Sequence, residues 1–186
     1  MNDRLHFRLE RGRAALLVVD VQERLAAAMP KEEYAAALAN VVRWVEGAKI
    51  LGVPILWTEQ YVKGLGPTVP EVTAAIGSRA QPVEKVQFSC LVEPIVEGLE
   101  GKTQVVVVGM ETHVCVFQTV RDLAERGVVA FVPQDAVISR TRANWQVGLD
   151  LARQLGATIT STEAGLFDLT QRAGSDEFRA VSKLVK

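Results

Sequence analysis

The fold of this chain is decided by one stretch, Val105–Val106–Val107–Val108–Gly109–Met110–Glu111–Thr112–His113–Val114–Cys115–Val116. Four consecutive valines are too apolar for a surface strand and predict a strand buried on both faces of a sheet. The strand breaks at Gly109, and from Thr112 onward apolar residues recur at helical spacing. Cys115 is therefore predicted in the first turn of a helix that begins at the carboxyl end of a central strand.

The position of Cys115 suggests a reactive thiol. The first turn of a helix has backbone N–H groups without internal partners, and its dipole favours negative charge. A cysteine at this place is expected to have a lowered thiol pKa and to act as a nucleophile at neutral pH. The alternative is a small apolar side chain buried under the sheet, as free cysteines often are.

Composition sets the class of protein. A length of 186 residues suits one substantial domain, and we expect residues 1–186 to form it. No apolar run approaches a membrane span, and the first residues, MNDRLHFRLERGR, lack the apolar core of a signal peptide. The expectation is a cytoplasmic protein without a membrane partner. A net charge of −1 and the lack of a basic stripe argue against a nucleic-acid partner.

The two cysteines, Cys90 and Cys115, have neither metal-type spacing nor a C-x-x-C motif. A disulfide between them stays open at this stage, but a reducing compartment favours two free thiols. Cys90 is interpreted as a packing residue.

Strands are predicted where short apolar runs end in polar residues, over 14–20, 53–58, 81–86, 105–108, 128–133 and 157–162. Helices are predicted over 31–51, 91–99, 112–127 and 145–155, with a short, partly helical segment at 21–29 and terminal pieces over 166–169 and 178–185. Residues 59–70 are rich in Gly and Pro and are predicted to form a binding loop. The alternation predicts an α/β fold, a three-layer α/β/α sandwich with a central parallel sheet. No Gly-rich phosphate motif follows the first strand, so a dinucleotide or NTP site is not indicated.

Three strand ends carry reactive side chains, namely Asp20, Lys85 and Cys115. In an open parallel sheet, ligands bind outside the carboxyl ends of the strands. Cys115 would attack an electrophilic carbon, and Asp20 would take the thiol proton and later pass it to a leaving group. Lys85 would hold both anions by charge proximity, and backbone N–H groups between Gly109 and Cys115 would bind an oxyanion.

Polar and aromatic residues near these strand ends are candidates for contact with a small-molecule substrate. They are Gln22, Glu59, Gln60, Tyr61, Phe88 and His113. Tyr61 and Phe88 are the expected pocket walls. His113 precedes Cys115 by two residues, so the two side chains point to different faces of a helix, and His113 is expected at a pocket rim or an interface.

Five segments in the same order along the chain resemble the isochorismatase-like cysteine hydrolases, a family that includes nicotinamidases and N-carbamoylsarcosine amidohydrolases. They are LLVVDVQ (16–22), KVQFS (85–89), VVVVGMETHVCVFQTVRDLAERG (105–127), VPQDAVISR (132–140) and GATITSTEAGLF (156–167). A sixth segment, WTEQYVKGLGPTVPE (57–71), is similar to the isochorismatase domain-containing branch of that family.

The resemblance implies a catalytic triad of Asp20, Lys85 and Cys115. It also implies a non-proline cis peptide between Met110 and Glu111, which would aim the N–H of Glu111, with that of Cys115, at the oxyanion. The implied activity is hydrolysis of an amide or related C–N bond in a small molecule by a homo-oligomer. Two alternatives stay open: hydrolysis of a vinyl ether, as in isochorismatases, which does not require the cysteine, and a non-catalytic binding or scaffold protein.

The sequence departs from the nicotinamidase pattern at the metal site. Nicotinamidases carry an Asp-x-His after the second strand, whereas residues 58–62 here read Thr-Glu-Gln-Tyr-Val. The two histidines of the chain are His6 and His113, which cannot provide a His-rich zinc site. We therefore expect no metal and no other cofactor.

Overall fold

The computed structural model describes residues 7–186, with the side chain of Arg79 excepted, so His6 lies outside the described residues. The strands are β1 (Ala14–Val19), β2 (Ile55–Gln60), β3 (Val83–Lys85), β4 (Gln104–Met110), β5 (Val129–Pro133), β6 (Val137–Ile138) and β7 (Thr158–Thr160). The helices are α1 (Glu23–Ala27), α2 (Lys31–Leu51), α3 (Val62–Leu65), α4 (Pro70–Ile76), α5 (Glu93–Gly98), α6 (Phe117–Glu125), α7 (Arg142–Gln154), α8 (Thr162–Thr170) and α9 (Asp176–Leu184). A π-helical turn, Thr112–Val116, joins β4 to α6, and we call it the nucleophile turn.

The strands form one sheet in the order β3-β2-β1-β4-β5-β7, and β6 pairs with the end of β4. All pairings between these strands are parallel. The carboxyl ends of β1, β2, β3 and β4 therefore lie along one edge of the sheet, which is where the sequence predicts the reactive residues.

Helices cover both faces of the sheet. In β4, Val106 and Val108 pack in one buried cluster that includes residues of α2, α4, α8 and α9. Val105 and Val107 point to the other face and pack in a second cluster with residues of α5, α6 and α7. Side chains alternate along a strand, so a run of four valines supplies both layers, and burying each contributes roughly 1.5–3 kcal/mol. The predicted three-layer α/β/α fold is confirmed.

Two glycines allow close contacts near the predicted site. Gly109 has φ +113°, and a Cβ there would lie 2.1 Å from the carbonyl oxygen of Val19 at the end of β1. A Cβ on Gly148 of α7 would lie 2.6 Å from the carbonyl of Thr112. A side chain at either position would push apart β1 and β4, or α7 and the nucleophile turn.

The segment 59–70 differs from the predicted loop. Its first two residues, Glu59 and Gln60, belong to β2 because the pairing of Gln60 with Lys85 extends the ladder between β2 and β3. The rest contains the short helix α3, and Pro70 begins α4, where a proline at the first position suits a helix. The sequence does not predict β6, because two residues are too few to show a strand pattern.

None of the helices within residues 7–186 has the length and apolar character needed to cross a membrane. The cytoplasmic location stays a prediction, as does the assignment of residues 1–186 to one domain.

Candidate active site

Asp20 and Lys85 form a buried ion pair at the carboxyl edge of the sheet. Lys85 Nζ lies 2.7 Å from Asp20 Oδ2, and both side chains are 0 % exposed. The ammonium also donates to Gln60 Oε1 at 2.8 Å and to the carbonyl oxygens of Phe88 and Gln87 at 3.1 and 3.2 Å. Lys85 is therefore a fixed positive charge with no donor directed at solvent.

Asp20 has an unusual backbone and a second partner. Its φ is +48°, a left-handed conformation that costs a residue other than glycine about 1–3 kcal/mol. This conformation follows directly on β1, with Val19 still paired to Thr58 in β2. The hydroxyl of Thr58 donates to Asp20 Oδ1 at 2.7 Å, so each oxygen of the carboxylate accepts a hydrogen bond.

Cys115 lies in the nucleophile turn, is 5 % exposed, and its thiol is near enough to the Asp20 carboxylate for that charge to act on its pKa. Burial, followed by the Asp20 carboxylate, raises the pKa of this thiol, and the Lys85 ammonium lowers it by less. The predicted lowering of the Cys115 pKa is therefore wrong for the resting site. Helix-start position favours the thiolate, but burial beside a carboxylate outweighs it. Attack by Cys115 thus requires transfer of its proton to a base, and Asp20 is the carboxylate that acts on its pKa.

The peptide bond between Met110 and Glu111 is cis, at the place that the family resemblance implies. The Glu111 side chain turns toward the loop after β6, where its Oε2 accepts from the Arg140 main-chain N at 3.0 Å and from Arg140 Nε at 3.1 Å. The side chain of Arg140 is 57 % exposed. Glu111 is thus held by both the main chain and the side chain of Arg140.

His113 is half-buried, and its Nδ1 lies 3.0 Å from the hydroxyl of Ser139. This contact joins the nucleophile turn to the residue that follows β6. Together with the contact between Glu111 and Arg140, it forms the β4–β6 side of the site.

Three of the residues predicted to contact substrate form hydrogen bonds around the ion pair and the 59–70 segment. Gln22 is fully buried, accepts from Gln60 N at 2.7 Å and donates to the carbonyl oxygens of Gln60 and Gly66 at 3.0 and 2.6 Å. Glu59 accepts from Thr68 N at 2.7 Å. Gln60 donates to the carbonyl oxygen of Val86 at 2.9 Å, besides its bond with Lys85. Their contact with substrate stays a prediction, and their visible role is to fix the polypeptide around the ion pair.

The two predicted pocket walls are exposed. Tyr61 is 56 % and Phe88 52 % exposed, and Val86, between the ion pair and Phe88, is 72 % exposed. A cavity of about 420 Å³ lies beside β3 and is lined by Tyr61, Val62, Lys63, Glu84, Lys85, Val86 and Gln87. The exposed apolar side chains of Tyr61, Val86 and Phe88 therefore lie at the outer edge of the site.

Sequence reasoning missed Thr58 and Thr119. Thr119 Oγ1 donates to the carbonyl oxygen of Cys115 at 2.7 Å and accepts from Cys90 N at 2.9 Å. Both threonines reach the site through the pairing of strands and the packing of α6, for which a single sequence carries no local signal.

A metal site was not expected, and residues 58–62 keep no histidine. Over residues 7–186, the structure contains no group of three or more His, Cys, Asp or Glu side chains that could hold a metal ion. The donor set near Glu59 and Gln60 therefore does not fit the zinc site of nicotinamidases.

Comparison with known proteins agrees with the geometry. Residues 14–164 match the model of the isochorismatase domain. Isochorismatase domain-containing protein 2 of Danio rerio is 34 % identical over 181 residues, which covers 96 % of this chain and 89 % of the relative. The secreted isochorismatase effector Isc1 of Phytophthora sojae is 41 % identical over 149 residues, covering 76 % of this chain and 70 % of the relative.

Among solved structures, that of MAR1 ribonuclease from Caenorhabditis elegans superposes with a TM-score of 0.91 at 34 % identity. The match covers 96 % of this chain and 92 % of that chain. The similarity therefore extends over the sheet, both helical layers and the carboxyl edge that carries the candidate site.

Proposed function

The chain belongs to the isochorismatase family, and from this premise we propose that it is a cysteine hydrolase that cleaves an amide or related C–N bond in a small molecule. The supporting observation is the meeting of a thiol, a carboxylate and an ammonium that come from three separate strand ends. Asp20 is ion-paired with Lys85 in a fully buried space, and its carboxylate is near enough to the Cys115 thiol to raise the pKa of that thiol.

In the first half of the proposed reaction, Asp20 takes the thiol proton as Cys115 Sγ attacks the carbonyl carbon. The N–H groups of Glu111 and Cys115 stabilise the oxyanion that forms. Collapse of the tetrahedral intermediate breaks the C–N bond, and protonated Asp20 gives its proton to the leaving nitrogen. The products at this point are an amine and a thioester on Cys115.

In the second half, Asp20 removes a proton from water as the water oxygen attacks the thioester carbonyl. The C–S bond breaks, the thiolate takes the proton back from Asp20, and the carboxylic acid leaves. Lys85 stays protonated throughout and holds Asp20 in place through their 2.7 Å contact.

The test is a parallel screen of amides and ureido compounds against the wild type and Cys115→Ala, with Cys90→Ala as the matched control. Loss of a nucleophile that works with a general base costs at least about a thousandfold in kcat. We expect that loss and nearly unchanged thermal unfolding in Cys115→Ala, and a far smaller reduction of turnover in Cys90→Ala. If Cys115→Ala keeps its turnover, Cys115 is not the nucleophile.

The same screen separates the alternatives. An isochorismate-type vinyl ether hydrolysed equally by the wild type and Cys115→Ala would support a reaction that does not need the cysteine. No turnover of any compound by the wild type would support a binding or scaffold protein.

The name of the Caenorhabditis elegans protein makes RNA cleavage a further arm of the screen. Binding to a nucleic-acid backbone relies on exposed cations, whereas this chain has a net charge of −1 and the ammonium of Lys85 is fully buried. We expect no Cys115-dependent cleavage of single-stranded RNA. The homo-oligomer implied by the family resemblance stays a prediction, which light scattering after size-exclusion chromatography tests.

A further inference from the structure

A second thiol lies next to the triad and has no role in the proposed reaction. The side chain of Cys90 is fully buried, and its Sγ lies 3.3 Å from Thr58 Oγ1. Thr58 Oγ1 in turn lies 2.7 Å from Asp20 Oδ1. Cys90, Thr58 and Asp20 therefore form a continuous hydrogen-bonded row of polar side chains in the protein interior, where most side chains are apolar.

The direction of the hydrogen bonds in this chain follows from the chemistry of the groups. The ionised carboxylate of Asp20 can only accept, so the single hydroxyl proton of Thr58 is directed at it. The thiol of Cys90 must then donate to Thr58 Oγ1. Burial and, next, the Asp20 carboxylate raise the pKa of Cys90 to about 12, so near neutral pH the thiol keeps the proton that it donates.

Both ends of this chain are fixed relative to the nucleophile. The main-chain N of Cys90 donates to Thr119 Oγ1 at 2.9 Å, and the same hydroxyl donates to the carbonyl oxygen of Cys115 at 2.7 Å. At the other end, Lys85 holds Asp20 Oδ2 while Thr58 holds Oδ1. A carboxylate bonded through both oxygens cannot rotate freely, so its orientation is fixed by Thr58 and Lys85.

We propose that Thr58 and Cys90 are positioning residues for Asp20. Thr58 orients the carboxylate and, by donating to it, weakens its hold on the Cys115 proton, while Cys90 fixes the direction of the Thr58 hydroxyl. The catalytic meaning of this arrangement rests on the proposed function. The influence of Asp20 on the Cys115 thiol needs no substrate and can be probed alone. The competing interpretation is that Thr58 only satisfies its own hydroxyl in a buried strand.

The experiment measures the second-order rate of alkylation of Cys115 by iodoacetamide at pH 8.5, with mass spectrometry to separate it from Cys90. Thr58→Val keeps the side-chain shape and removes the hydroxyl, so Asp20 should hold the thiol proton more tightly and the thiolate fraction should fall. A hydrogen bond to a charged group is strong enough for a drop of about three- to tenfold in rate. Thr58→Ser keeps the hydroxyl and should alkylate close to the wild-type rate.

Two variants of Cys90 extend the comparison. Cys90→Ala removes the donor to Thr58 and should slow alkylation of Cys115 by a smaller factor than Thr58→Val. Cys90→Ser keeps a donor and should restore the wild-type rate. These variants also test the proposal if circular dichroism shows that Thr58→Val does not fold.

The sign of the effect separates positioning from packing. A valine that merely loosened the interior would expose Cys115 and speed its alkylation, and an unchanged rate would mean that the hydroxyl does not act on the triad. Either result overturns the proposal. Because alkylation needs no substrate, the expected slowing can appear even if the hydrolysis screen fails, so the two failures are distinguishable.

Discussion

The two sides of the candidate site each contain an ion pair, and the two pairs have opposite environments. On the β1–β3 side, Lys85 and Asp20 are 2.7 Å apart and both side chains are 0 % exposed. On the β4–β6 side, Arg140 Nε lies 3.1 Å from Glu111 Oε2. The side chain of Glu111 is buried, whereas that of Arg140 is 57 % exposed. One pair is enclosed by protein and the other is half in water.

This difference determines what each pair can do. Removing an ion from water is costly, and a buried pair tolerates that cost only while both charges and their hydrogen bonds are present. An exposed partner stays hydrated and is screened, so such a pair contributes roughly 0–1 kcal/mol. The chemistry should therefore depend on the buried side, whereas the exposed side positions the peptide after β4.

Lys85→Met should have the largest effect. The substitution leaves the Asp20 carboxylate buried without its cation, and breaking such a pair typically costs about 3–5 kcal/mol. We expect a loss of that size in the free energy of unfolding, measured by urea denaturation, together with loss of turnover. The double variant Lys85→Met/Asp20→Leu removes both charges and should recover much of the stability but none of the activity. If Lys85→Met were as stable as the wild type, the Asp20 carboxylate could not be buried without a counter-ion in that variant.

Asp20→Asn should increase the reactivity of Cys115, besides lowering stability because Lys85 is left buried without its counter-ion. Burial and, next, the carboxylate raise the pKa of the Cys115 thiol, and Lys85 lowers it, so removal of the carboxylate leaves burial opposed by Lys85 and the pKa should fall. Alkylation by iodoacetamide at pH 7.5 should accelerate by roughly tenfold, the effect of one pKa unit, while turnover is lost with the base. In the wild type the raised pKa of Cys115 means that the alkylation rate should still increase with pH at pH 9, above the ordinary thiol pKa of about 8.5.

Cys90, which is 0 % exposed, is the internal control, and its alkylation should stay slow in both proteins. Slower alkylation of Cys115 in Asp20→Asn would contradict the inference that the Asp20 carboxylate raises the pKa of the thiol.

The buried side was largely predictable from sequence because its members end strands. The alternation of apolar runs places Asp20, Lys85 and Cys115 at one edge of a parallel sheet, whatever the details of packing. The pKa of Cys115 was not predictable, because it depends on burial and on a carboxylate that is 95 positions away in sequence. Helix-start position alone gave the wrong direction.

The partners that hold these residues were missed for a related reason. Thr58 reaches Asp20 only through the register that pairs it with Val19, and Gln22 reaches Gln60 only through the folded 59–70 segment. The amide of Gln22 donates to the carbonyl oxygens of Gln60 and Gly66, which the order of residues does not reveal, and its contact with substrate stays a prediction. Hydrogen bonds between distant segments are what single-sequence reasoning lacks.

Arg140→Ala should have the smallest effect and completes the comparison. Its guanidinium is more than half exposed, so removing it should cost less than about 1 kcal/mol of unfolding free energy, and less again at high salt. The alanine keeps the main-chain N that donates to Glu111 Oε2 at 3.0 Å, so the position of Glu111 should survive. Urea denaturation at low and high salt measures the stability, and Cys115 alkylation should match the wild type. A loss as large as that in Lys85→Met would mean that the exposed pair is as important as the buried one. Loss of turnover with unchanged stability would instead give the Arg140 guanidinium a direct part in binding substrate.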